Sequence, residues 1–320
     1  MSERPNGNMT LPKAGGFFVL SLAMLGLVPL MSLLFNNGSM DFSEAAERAS
    51  TATGVPWTSS LVNVIRLSLA EPMLFLTLLG SLAPVLAAIV MMLVLGDRSA
   101  WRRFGRRLLP YHEVSTPQVA TTYLLILLLL VPCLFLTFEI RQLLGADYER
   151  EIAIGPGLVI AILVIALLDQ GAVLEELGWR GYLAPEMQDS GISPLNTALI
   201  VGLIWGLWHL PRDITTGVIT RLGYIEYATM FLPSFVLGTI SVSVIAAWFM
   251  NRTGGSVIPA ILIHGLTNDS IGISGAATIN EALTPFHQIT KNLPFALIAT
   301  GLVLVSGAHL GRTYKGDGPK

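Results

Sequence analysis

The chain has 320 residues, of which 52% are hydrophobic and only 12% charged. Soluble domains carry about 25% charged residues, so this composition excludes an ordinary soluble globule and points to a membrane protein. The net charge of −2 gives nucleic acid no electrostatic reason to bind, and the single cysteine, Cys133, excludes an internal disulfide and a cysteine-built metal site.

Residues 1–15 are polar. Residues 16–35 form an apolar run long enough to cross a bilayer and lack a clear cleavage site, so a retained first span is expected. Residues 56–70, with Trp57 and Arg66, read as an interfacial helix. Further spans are expected at 72–95, 118–138, 155–176, 195–211, 228–250, 256–272 and 293–310. The fold class is therefore all-α, a polytopic transmembrane helical bundle of about eight spans.

Loop charge sets the expected orientation. One side would hold Arg4, Lys13, the five arginines of 98–107, Arg180, Arg252, Arg312, Lys315 and Lys320, twelve of the 19 basic residues. The other would hold Arg48, Arg66, Arg141, Arg150, Arg212, Arg221 and Lys291. The positive-inside rule then places both termini in the cytoplasm, with the stretch "DRSAWRRFGRR" (97–107) against anionic headgroups. The inner membrane of a cell is the expected location, and the lipid bilayer itself a partner.

Ionisable side chains inside spans cost roughly 2.5–3.5 kcal/mol each on insertion scales, which makes them functional candidates. Here they are Asp169, Glu175, Glu176, Arg180, His209 and His264, with the amide Asn268 beside them. In "VLEELGWRG" (173–181), Glu176 and Arg180 stand four apart and share a helix face, which predicts a structural ion pair. Glu175 is turned about 100° away and is left free for chemistry. The turn "DSGISP" (189–194) closes a helical hairpin that brings Glu175 and His209 to one depth. His264 and Asn268, also four apart, share a face in "GGSVIPAILIHGLTND" (254–269), at a compatible depth.

This inventory suits hydrolysis by an activated water. A carboxylate and a histidine serve as general base and proton relay, and a histidine N–H and an amide NH₂ suit a developing oxyanion. There is no G-x-S-x-G elbow. Zinc held by Glu175, His209 and His264 is the alternative to metal-free activation; no other cofactor is expected. The residues also admit a binding or transport protein whose buried Glu and His carry protons or ions, and a non-catalytic scaffold.

Three motifs occur in order on successive apolar helices: "EELGWR" (Glu175 to Arg180) as E-E-x-x-x-R, "WGLWH" (Trp205 to His209) in the place of F-x-x-x-H, and "HGLTN" (His264 to Asn268) as H-x-x-x-N. Together they resemble the CPBP family of type II CAAX prenyl endopeptidases, bacteriocin-processing proteins and Abi proteins. Trp205 stands where the family usually has Phe, and Asp169 is an additional carboxylate.

The resemblance implies an intramembrane endopeptidase, acting on a membrane protein or a lipidated peptide near the cytoplasmic face, or a non-catalytic immunity relative. It implies that Glu175 and His209 activate water, that His264 and Asn268 stabilise the oxyanion, and that Glu176, Arg180 and Trp205 support the site. It also implies three regions. Residues 1–150 form an N-terminal region of about three spans, 151–275 the catalytic core, and 276–320 a last span and tail.

Overall fold

The computed structural model describes residues 9–36, 42–55, 57–95, 98–147, 157–215, 217–268 and 283–312. Arg4, Arg150, Lys315 and Lys320, which enter the charge reading above, lie outside them. Apart from turns and short connections the described residues are helical, and the one strand-like contact among them is an isolated bridge between Ser60 and Asp169.

In chain order the helices are α1 (Leu11–Asn36), α2 (Phe42–Thr53), α3 (Leu61–Ala70), α4 (Phe75–Val94), α5 (Arg98–Arg107) and α6 (Thr116–Leu143). Then come α7 (Leu158–Leu168), α8 (Gln170–Gly178), α9 (Ala184–Asp189), α10 (Pro194–Trp208) and α11 (Leu210–Thr215). The last are α12 (Val218–Leu222), α13 (Tyr224–Glu226), α14 (Leu232–Arg252), α15 (Ile258–Asn268) and α16 (Pro285–Ser306). The protein is an integral, multi-pass membrane protein. Among the described residues, five helical stretches, containing α1, α4, α6, α14 and α16, are each long and apolar enough to cross alone.

The three helices that carry the motifs are shorter than expected of full spans. The fourth span breaks at Asp169, whose backbone leaves the helical region and whose carboxylate accepts from the amide of Ala172 at 2.6 Å. Aspartate is a poor helix-interior residue and a good N-cap, so it ends α7 and starts α8. The Gln170 amide then donates to the Ser59 carbonyl at 2.9 Å, docking the extended residues 57–60 against the break. The interfacial helix expected from residue 56 accordingly begins only at Leu61. α10 stops at Trp208, before Pro211. The described part of α15, Ile258–Asn268, has 11 residues, about 16 Å of helix.

Close helix contact holds these short pieces inside the longer ones. A Cβ on Gly178 would sit 2.3 Å from the backbone of Pro84, and one on Gly265 would sit 2.0 Å from the Ala166 carbonyl oxygen. Glycine at these two points lets α8 lie on α4 and α15 on α7, the small-residue packing that replaces the hydrophobic effect between helices in lipid.

A π-helical segment, Trp179–Leu183, carries α8 into α9 without a break, and Ser190–Ser193 then turn the chain into α10. Gly191 takes φ 95° there, and the Ser193 hydroxyl caps the Asn196 amide at 3.2 Å. One end of the bundle gathers this turn, the basic helix α5 and the C-terminal residues. Arg103 and Arg107 each meet Glu186 at 3.0 Å, Arg107 meets Asp189 at 3.1 Å, and Arg312 meets Asp189 at 2.8 Å. Phe17 of α1 packs on Trp179 and Tyr182 near the same end.

Candidate functional site

α8, α10 and α15 deliver their polar residues to one place. Glu175, His209, His264 and Asn268 all line a single cavity of about 390 Å³. All but Asn268, the last residue of α15, are buried. The four groups that sequence spacing singled out therefore face one space.

Trp205 ties two of them together. Its indole Nε1–H donates to Glu175 Oε2 at 2.9 Å, and its carbonyl accepts from His209 Nδ1 at 2.8 Å. A carbonyl only accepts, so the proton of a neutral His209 resides on Nδ1 and Nε2 is left as the basic nitrogen. The same indole lies 4.8 Å, centroid to centroid, from the His264 ring and carries the Arg180 guanidinium at 4.5 Å on its face. One residue thus touches four of the candidate residues, three through its indole and His209 through its carbonyl.

The expected ion pair is present and larger than a pair. Arg180 Nη1 donates to Glu176 Oε1 at 2.7 Å, with both groups buried. His264 Nδ1 meets the same oxygen at 2.8 Å, and Arg180 Nη2 donates to the Ser243 hydroxyl at 3.0 Å. Glu176 therefore orients His264 as well as Arg180, and the imidazole keeps Nε2 for other contacts. Spacing along α8 assigns Glu176 to Arg180; its contact with α15 depends on how the helices pack, which spacing alone does not encode.

Asn268 Nδ2 donates to Asp169 Oδ1 at 3.0 Å. One of its two amide hydrogens is thereby placed and the second is left over. Asp169, the carboxylate outside the motif pattern, thus joins α8 to α15. A Cβ on Gly171 would lie 3.3 Å from Asn268 Nδ2 and 3.4 Å from Glu175 Oε1. These two atoms are no further apart than the sum of those distances, with a missing side chain between them.

Sequence reading missed one wall altogether. The last span was expected to start at residue 293, and Lys291 was counted in a loop. α16 starts at Pro285, and its first turns present His287, Gln288, Lys291 and Asn292 to the cavity. Hydropathy treats such a polar helix start as loop. The available signal was the recurrence of these polar residues at i, i+1, i+4 and i+5, the spacing of one helix face. Nor does the site lie near the basic end. Glu175 stands fourteen residues before Asp189, roughly 20 Å along the helix.

A second, largely apolar cavity of about 280 Å³ opens on the other side of Glu175 and His209, walled by Leu25 and Val28 of α1 and by Leu76 and Gly80 of α4. Among the described residues, no group of three or more His, Cys, Asp or Glu side chains converges to hold a metal ion. Glu175, His209 and His264 line the cavity together.

Residues 155–269 match the family model of the type II CAAX prenyl endopeptidase, Rce1-like. The chain is also 28% identical, over 147 residues, to CAAX prenyl protease 2 of Methanococcus maripaludis. That alignment covers 46% of this chain and 48% of the relative, so the chain spans about half the length of the curated relative it matches.

Proposed function

We propose that this chain, whose residues 155–269 belong to the CPBP family of type II CAAX prenyl endopeptidases, is an intramembrane endopeptidase of the glutamate type. The observation that carries this reading is the Glu175–Trp205–His209 connection, opening on a cavity also lined by His264 and Asn268. Glu175 takes a proton from water, and the water oxygen attacks the scissile carbonyl. His209 Nε2 shares that proton and returns it to the leaving amine. The second amide hydrogen of Asn268 and the Nε2–H of His264 donate to the oxyanion, with the charge on His264 balanced by Glu176.

The apolar cavity beside Glu175 and His209 supports a substrate with an apolar or lipidated segment next to the cut bond. Water activation in this reading needs no metal. Elemental analysis of purified, active protein should find less than one equivalent of zinc, and activity should survive a chelator; stoichiometric zinc that must be present would replace the glutamate mechanism with a metal one.

The test of the function is proteomic. Membranes from cells expressing wild type are compared with membranes expressing Glu175→Gln, which keeps the hydrogen bond from Trp205 but cannot act as a base. An uncut membrane protein should accumulate with the variant. Identical peptide maps from the two membranes would contradict the proposal.

A further inference from the structure

The charges around the cavity do not cancel locally. Each carboxylate at or behind its wall has a partner: Glu175 has Trp205, Glu176 has Arg180 and His264, and Asp169 has Ala172 and Asn268. Arg212 donates to Asp213 at 2.9 and 2.6 Å, and Asp213 also accepts from the Tyr227 hydroxyl at 2.9 Å. Lys291 is different. It lines the cavity, no described residue pairs with its ammonium, and the charged groups acting on it, Arg141 and Arg212, have its own sign.

One turn earlier on the same face, His287 lines the cavity too. It is 1% exposed, and its Nδ1 has no hydrogen-bond partner among the described residues. An unpaired cation and an unpartnered ring nitrogen inside a membrane helix are both unfavourable unless something completes them. Both face the space that Glu175 faces, and both lie outside the residues matched by the family model.

We propose that Lys291 and His287 form an anion subsite that takes a carboxylate of the peptide substrate, while the scissile bond lies at Glu175 and His209. The cavity has room for only a few residues, so the carboxylate belongs to the part of the chain just beyond the cut. The C-terminal carboxylate and an acidic side chain share this chemistry. The inference rests on the endopeptidase reading, and it gives the cavity a cation for anchoring substrate in addition to the base and the oxyanion donors.

Equilibrium binding separates this inference from turnover. Full-length Glu175→Gln protein in nanodiscs is exposed to a library of lipidated heptapeptides, synthesised as matched C-terminal acids and C-terminal amides, and bound peptides are read by mass spectrometry. Acids should be recovered about tenfold over their amides, the size of one charged hydrogen bond. Lys291→Met should bring that ratio to about one, and Lys291→Arg should retain most of it. Amides recovered only when they carry an internal Asp or Glu, again dependent on Lys291, would support the subsite and make the side chain its source.

Equal recovery of acids and amides with no gain from an internal Asp or Glu, including recovery of neither, would overturn the inference, as would a preference that Lys291→Met leaves intact. The first of these needs no substitution at Lys291, so misfolding of a variant does not protect the idea. Failure of the endopeptidase reading would show instead as identical peptide maps from membranes that carry the wild-type protein and membranes that lack it.

Discussion

Trp205 fills the position that the family usually gives to Phe, and the difference is one N–H. Phenylalanine keeps the ring against Arg180 and His264 but cannot donate to Glu175. Trp205→Phe should therefore fold normally and lose about tenfold in kcat with KM little changed, since a hydrogen bond to a charged group is worth about 1.5–3 kcal/mol. Steady-state kinetics on a cleaved reporter measures the split; a variant with unaltered kcat would remove Trp205 from the machinery. Glu176 predicts the opposite behaviour. Glu176→Ala leaves Arg180 buried without its carboxylate, which should cost about 3–5 kcal/mol and lower the thermal midpoint in detergent before any kinetic effect is read. Four-residue spacing made the Glu176–Arg180 pair legible in sequence. It did not make His264 legible as the third member, nor Asp169 as the partner of Asn268, because those bonds join helices far apart in sequence.

Among the elements, apolar length located the helical segments and misjudged several of their ends. Hydropathy averages over a window, so it passes over a single capping aspartate and discards a helix start that is polar on one face. That is why α7 and α8 read as one span and why the first turns of α16 read as loop, taking His287 and Lys291 with them. Contacts that need glycine were equally hidden. Gly178 meets the backbone of Pro84, whereas Gly26 of α1 has open space around it. Gly178→Ala should push α8 off α4 and cost more than about 2 kcal/mol, in line with overpacked cores. Gly26→Ala, a gain in helix propensity with nothing to displace, should leave the melting curve unchanged. Equal effects from the two would mean that close approach at Pro84 is not what seats α8.

Taken whole, the molecule has a basic end, formed by α5, the 190–193 turn and Arg312, and a site in the half of the bundle away from it. Positive-inside bias would put the basic end in the cytoplasm, and the cavity would then open toward the opposite face rather than the cytoplasmic one expected from the family resemblance. Single cysteines in a Cys133→Ala background decide this. Ser190→Cys should react with a membrane-impermeant thiol reagent only in inverted vesicles, and Ser59→Cys, beside the cavity, only in intact cells; the reverse pattern would invert the protein.

The central claim, that Glu175 activates water for peptide-bond hydrolysis inside the membrane, is tested most directly by purified protein in proteoliposomes with a substrate identified from the membrane comparison. Wild type should cut it, and Glu175→Gln, with an unchanged melting curve, should cut at least about 100-fold more slowly, the scale of general-base catalysis. Cleavage by Glu175→Gln at the wild-type rate, or Glu175-dependent proton or ion flux with no cleavage by either protein, would contradict it.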